Sequence, residues 1–223
     1  MRKTAFVAVT AVLWGVLLPR AGGAQIFGER FYVQAELLTG KSVTGTYTAQ
    51  VSTPDMLEPG SGFGAGVGVE LTPHYRIASS LAWLALPFKK DYRPNKLWRP
   101  TFEVPAWTFI NILQWRLGRV TLELPLGVGI YFWRFTENGR GSDALQFEGQ
   151  ALEKMSFGIN AGAGLEMRLV KSFRLFVAGT YHYILSQDRF LFGENFSEQG
   201  VFVWKSGLRW YFWQRNPLKV GKF

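Results

Sequence analysis

Three stretches of this chain place an apolar residue at every second position, and that period limits the possible folds more than any other feature. From Val120 to Phe132 the even positions are all apolar, with Thr121, Glu123, Pro125, Gly127, Gly129 and Tyr131 between them. From Met155 to Leu169 the odd positions are apolar and face Ser156, Gly158, Asn160, Gly162, Gly164, Glu166 and Arg168. From Phe63 to Leu71, Phe63, Ala65, Val67, Val69 and Leu71 stand against Gly64, Gly66, Gly68 and Glu70. A period of two turns successive side chains to opposite faces of an extended chain and fits no helix. Phe31–Leu37 alternates as well, and Tyr75–Leu86, Phe102–Leu117, Phe173–Leu185 and Phe202–Phe212 have strand composition. The segments together make eight strands. In Phe102–Leu117 both phases carry bulky residues, which leaves its faces unassigned, and Pro105 and Pro125 predict bulges or strand ends.

Long and short connections alternate between these strands, at roughly 23, 3, 15, 2, 18, 3 and 16 residues. The short ones are Thr72-Pro73-His74, Gly118-Arg119 and Val170-Lys171-Ser172. Even-stranded outer-membrane barrels have short periplasmic turns and long external loops, whereas a soluble barrel has no reason to keep that rhythm. The expected fold is therefore all-β: an eight-stranded antiparallel up-and-down transmembrane β-barrel.

The beginning of the chain has the layout of an export signal. Arg2 and Lys3 precede an uncharged apolar stretch from Thr4 to Leu18, and Ala21-Gly22-Gly23-Ala24 supplies small residues for cleavage after Ala24. A membrane-spanning helix needs about 20 apolar residues, more than this stretch holds. Cleavage would remove Arg2, Lys3 and Arg20 and no acid, taking the formal net charge from +9 to +6. No later apolar run is long enough to cross a bilayer as a helix, so a mature chain in a membrane is carried there by strands. The expected organisation is a signal peptide at 1–24, a barrel at 25–212 and a short basic periplasmic tail at 213–223. The chain has no Cys, which excludes a disulfide scaffold, an iron–sulfur centre and any thiolate zinc site.

Glycine indicates which face looks outward. Gly64, Gly66, Gly68, Gly127, Gly129, Gly158, Gly162 and Gly164 all share the non-apolar face. On the wet exterior of a soluble barrel they would weaken the strands and gain nothing. In a membrane barrel they line a narrow interior and leave room for Tyr131, Trp133 and charged side chains. The aliphatic face then meets lipid. Trp210, Phe212, Tyr75 and Trp115 are expected at the periplasmic rim, and Trp83, Phe135 and Phe202 at the external rim, as two aromatic girdles.

The last strand ends Ser206-Gly207-Leu208-Arg209-Trp210-Tyr211-Phe212. It resembles the C-terminal signal by which bacterial outer-membrane barrels are recognised by their assembly machinery, and the resemblance implies that role for Gly207, Trp210 and Phe212. Usually the aromatic ends the chain, whereas here Phe212 is followed by residues 213–223. The stretches Gly62–Leu71, Phe102–Pro105, Phe157–Glu166 and Gly207–Phe212 resemble the small outer-membrane β-barrel domain family of Bacteroidetes-type bacteria, the porin-family proteins. The resemblance spans nearly all of residues 29–212 and implies fold and location, but no reaction.

Several chemical motifs fail on context. Ala35–Ser42, AELLTGKS, matches a relaxed phosphate-binding loop, but Val43-Thr44-Gly45-Thr46-Tyr47-Thr48 is no helix to cradle a phosphate. His182 and Ser186 invite comparison with lipid-A-modifying barrel enzymes. Four residues apart on one strand they stand about 13 Å from each other, too far for a nucleophile and its base. No catalytic, cofactor or metal site is assigned.

The interior polar residues say more. Glu70, Glu123, Glu166, Arg168, Arg174 and Arg209 are all expected inward, beside Gln34, Glu36 and Lys205. Eight strands leave a lumen that side chains just fill, and unpaired buried charge is costly, so a paired plug is favoured over a narrow conduit for ions or solutes. In the second long loop Lys89, Lys90, Arg93, Lys96 and Arg99 outnumber Asp91. They are expected to meet lipopolysaccharide phosphates or simply solvent. Expected partners are outer-membrane lipid, lipopolysaccharide and the barrel-assembly machinery; nucleic acid is not expected, and the barrel is read as a monomer.

Overall fold

Eight extended segments join edge to edge and close on themselves. The computed structural model describes residues 30–214 apart from Pro94, Lys96, Arg140, Gly141, Glu148 and Glu194. The expected signal segment and residues 215–223 of the expected tail lie outside the described residues. The strands are β1 (Arg30–Thr44), β2 (Gly60–Thr72), β3 (Tyr75–Pro87), β4 (Thr101–Leu117), β5 (Val120–Thr136), β6 (Glu153–Arg168), β7 (Phe173–Ile184) and β8 (Gln199–Gln214). Each pairs antiparallel with its neighbours in sequence, and β1 pairs with β8 to close the barrel. Closure leaves no edge strand, the condition for a sheet to sit in lipid.

Burial follows the period read from the sequence. In β5, Leu122, Leu124, Leu126, Val128 and Phe132 are exposed on the outer wall, and Thr121, Glu123, Tyr131 and Trp133 are buried inside. β6 repeats this, with Met155, Phe157, Ile159 and Leu165 outside. The interior of a barrel this small is packed with side chains, so an exposed aliphatic wall is the face that lipid covers.

Three details depart from expectation. β1 runs on to Thr44 instead of stopping near Leu37, because Leu38–Ser42 pair with both β2 and β8 or with β8 alone. β8 continues past Phe212 to Gln214, paired with Arg30. Pro105 and Pro125 cause neither a bulge nor a strand end. Each keeps a ladder partner on one side, Trp83 and Ile112, and the register continues unshifted through both. A proline lacks only one N–H, and a barrel strand held on both edges tolerates that loss.

The unassigned strand β4 now has faces. Phe102, Val104, Ala106, Thr108, Ile110, Ile112 and Gln114 point inward, and Trp107, Phe109 and Trp115 outward. Both phases are bulky because Ile110 and Ile112 pack an apolar layer inside the barrel with Tyr32, Ala78 and Tyr211.

The short connections are Pro73-His74, Gly118-Arg119 and residues 169–172; the long ones are 45–59, 88–100, 137–152 and 185–198. Gly118 has φ +66°, which a non-glycine residue adopts at a cost in so tight a turn. The long connections fold over one mouth of the barrel. They contain the hairpin of Thr46–Thr48 with Val51–Ser52 and short helices at Thr53–Met56 and Arg189–Phe192.

Candidate functional site

The candidates for a functional site are the lumen and the loops above it. At the end of the barrel with the short turns, the lumen is filled by a charged layer. Arg76 is the second residue of β3 after the Pro73-His74 turn, and the register sets it opposite Glu70. It is fully buried. Its Nη1 donates to Glu123 Oε1 at 2.6 Å and to Glu166 Oε2 at 3.2 Å, and its Nη2 donates to Gln114 Oε1 at 2.9 Å. Arg209 Nη1 donates across the lumen to the same two carboxylates at 2.6 Å each, while its Nε reaches Gln34 Oε1 at 3.0 Å. Arg174 Nη1 donates to Glu166 Oε1 at 2.6 Å, and Arg116 pairs with Glu70. The guanidinium of Arg174 lies 4.1 Å from the Tyr211 ring and that of Arg209 lies 4.2 Å from Phe176.

The chemistry of this layer is closure. Arginines from β3, β7 and β8 meet glutamates from β5 and β6, so each bond ties one wall to another. Planar guanidinium groups suit such multiple pairing better than lysine would.

Five of the six residues predicted for this network come together: Glu70, Glu123, Glu166, Arg174 and Arg209. Arg168 does not join. It is exposed at the end of β6, directly opposite Arg174 in the register. Two like charges so placed repel, and only Arg174 has Glu166 within reach. Arg76, Arg116 and Gln114 were not foreseen. Arg76 could have been found by carrying the inward face of Glu70 across the turn, but the weak alternation of Tyr75–Leu86, with Ser79 and Ser80 adjacent, hid its phase.

Above the charged layer the glycines act as notches. A Cβ on Gly68 would sit 2.3 Å from the Tyr32 hydroxyl, one on Gly64 2.6 Å from Glu36 Oε1, and one on Gly158 2.7 Å from the Tyr131 ring. The room expected for bulky inner side chains is thus present, and specific side chains occupy it.

The mouth covered by the long loops is sealed differently. Met56 and Leu57 from the first long connection, Phe88 from the second, Leu152 from the third and Phe192 and Phe196 from the fourth pack onto Leu86, Phe102, Trp133 and Phe135. The Phe102 and Phe135 rings stack at 4.5 Å, and Trp133 and Phe196 at 5.3 Å. Phe135 is therefore no girdle residue. It is fully buried, since the loops above it form a core of their own. Of the other rim aromatics, Trp115, Trp210 and Phe212 are exposed, and Tyr75, Trp83 and Phe202 are partly so. Trp210 stacks on Phe173 at 6.2 Å and touches Phe212 at 5.7 Å.

The remaining candidates are dispersed. His182 Nδ1 meets the Tyr131 hydroxyl at 2.9 Å, whereas Ser186 Oγ donates to the Ser197 carbonyl at 3.2 Å, so the two share no bond. Ala35–Ser42 lie within β1 and form no phosphate loop. Among the described residues no group of three or more His, Asp and Glu could hold a metal ion. In the basic loop, Lys89 Nζ donates to the Pro54 carbonyl at 3.2 Å, and Arg93 donates twice to the Phe88 carbonyl. Lys90 and Arg99 are exposed, and Lys96 lies outside the described residues.

No family model and no curated relative matches this chain. Among solved structures it is similar to Neisserial surface protein A (NspA), at TM-score 0.55 and 14% identity over 82% of this chain and 97% of that one. It is equally similar to a major outer membrane protein from Thermus thermophilus, at TM-score 0.55 and 12% identity over 82% and 99%. At such identities the likeness concerns fold, and it agrees with the closed barrel and its lipid-facing wall. The chain has the fold of the small outer-membrane β-barrels, with eight antiparallel strands.

Proposed function

We propose that this protein is an integral outer-membrane barrel that performs no reaction and transports nothing through its lumen, acting instead through its external loops and its contact with lipid. The observation that carries the reading is double closure: a charged layer ties the walls together at one end, and an aromatic core seals the other. A hydrolase on this barrel would need a nucleophile bonded to its base, and His182 and Ser186 each bond elsewhere.

The finer parts of the reading rest on sequence. Export by residues 1–24, a basic tail after the last strand, recognition of Gly207, Trp210 and Phe212 by the assembly machinery, and kinship with Bacteroidetes-type porin-family proteins all belong to it. At the surface, Lys90 and Arg99 are the exposed cations suited to lipopolysaccharide phosphates, with Lys96 between them in sequence. Lys89 and Arg93 help to hold the loop in shape. The monomer is the proposed functional unit.

Membrane fractionation followed by gel electrophoresis with and without boiling tests the architecture. The expected product is in the outer-membrane fraction and changes mobility on heating. A soluble product with one mobility would overturn the proposal.

A further inference from the structure

On the outer wall, strands β2 to β5 leave an open groove of about 370 Å³, the size of a small-ligand site. The register explains it. Phe63 pairs with Trp83 and Trp83 with Pro105. Glu103 pairs with Arg134 and Ala106 with Tyr131, which places Phe132 beside Pro105. One step toward the short turns, Ala65 pairs with Leu81 and Leu81 with Trp107. Ala65 and Pro105 are thus short side chains among larger ones, and the difference in height is the groove. Its rings are held in place by one another and by the wall. Phe63 lies 5.6 Å from Trp83 and Trp107 lies 5.0 Å from Phe109, between ring centroids. Trp107 Nε1 donates to Ser79 Oγ at 2.9 Å, so the polar atom of that indole is satisfied within the wall.

Depth in the membrane identifies what can enter. From Trp115 at the short-turn rim to Pro105 is ten residues of β4. At about 3.3 Å each and a tilt of about 40° they rise roughly 25 Å, the height of the apolar band. The groove therefore opens at the external edge of that band, where the chains of outer-leaflet lipid begin. Lipid tails are as apolar as the wall, so no hydrophobic drive selects one chain over another. A preformed groove adds packing: a chain laid in it gains close contacts with fixed rings that a smooth wall does not offer. Just above, Arg134 bonds Glu103 and stands opposite Glu153, so that level has no cation to spare. The exposed cations Lys90 and Arg99 sit higher, on the connection between β3 and β4, the two middle strands of the groove. An amphiphile with a phosphorylated head above and several acyl chains below matches that order.

We propose that this groove holds one acyl chain of a lipopolysaccharide molecule in the outer leaflet, whose phosphates meet the loop that carries Lys90 and Arg99. The proposal deepens the surface reading above and rests on it for the identity of the lipid.

Folded barrel in detergent micelles is incubated with purified lipid A, the acylated and phosphorylated anchor of lipopolysaccharide, and separately with phosphatidylethanolamine. Retained lipid is counted by native mass spectrometry. Wild type should keep one lipid A in preference to phosphatidylethanolamine. Ala65 is exposed on the outer face, and Ala65→Trp places a ring in the groove without touching the lumen. It should weaken lipid A retention about tenfold, the loss of about ten close carbon contacts. Equal retention by Ala65→Trp overturns the groove. If the double variant Lys90→Gln with Arg99→Gln then loses lipid A, the surface reading survives without it. A wild type that keeps no lipid A overturns both. Equal retention of phosphatidylethanolamine overturns lipopolysaccharide as the occupant. A wild-type dimer that Ala65→Trp turns into a monomer gives the groove to a second copy of the chain and also overturns the proposal. Heat-shifted gel mobility checks that each variant is folded. Should Ala65→Trp fail that check, Phe132→Ala, which removes one wall, must show the same loss.

Discussion

Glu166 is the residue on which the charged layer turns. Its two oxygens accept from Arg76, Arg174 and Arg209, and Tyr211 approaches one of them at 3.4 Å. Removing a carboxylate that serves three buried guanidinium groups leaves charge without compensation, a change that costs about 3–5 kcal/mol. Glu166→Gln keeps the shape and removes the charge, so its stability from urea unfolding in micelles should fall by that amount; an unchanged midpoint would mean that the layer is not held by charge. Sequence pattern was sufficient to put Glu166 inside, because its strand alternates strictly. Arg168 shows the limit of the same pattern. It shares the face of Glu166, yet the strand ends there, and the neighbour across the ladder is another arginine.

At the scale of the element, the last strand combines structural and assembly roles. β8 closes the barrel against β1 and lies beside β7, with Trp210 and Phe212 outward near the end that carries the short turns. Phe212 makes its ring contact with Trp210 on the lipid face, so Phe212→Ala removes little from the lumen. If its role is recognition during insertion, Phe212→Ala should leave only a minor fraction of the chain as heat-shiftable barrel in cells. The same variant refolded from urea into micelles should reach a normal yield. Normal cellular abundance would refute the assembly reading. The elements themselves were legible, since period two and turn chemistry are local properties. Their ends were less so: β1 reaches Thr44 because partners on both sides extend it, and pairing is not a local property.

At the scale of the molecule, two closures of different physical kind share one lumen. The charged layer is held by directional bonds between walls, while the other mouth is held by an aromatic core supplied by all four long loops. In planar bilayers the purified barrel should therefore stay silent, without discrete conductance steps. Regular single-channel openings would restore the narrow-conduit reading. By itself the sequence determined the strand count, the antiparallel order, the face toward lipid and the charged character of the lumen. These follow from alternation and from the spacing of turns, which each segment carries independently of the others. Only the tertiary structure decided that Arg76 joins the network and Arg168 does not, and that Phe135 belongs to a loop core instead of a girdle. Each of those outcomes depends on which side chains meet across a closed wall, and that is set by ring closure and register, which bring Gln34 against Arg209, 175 positions away.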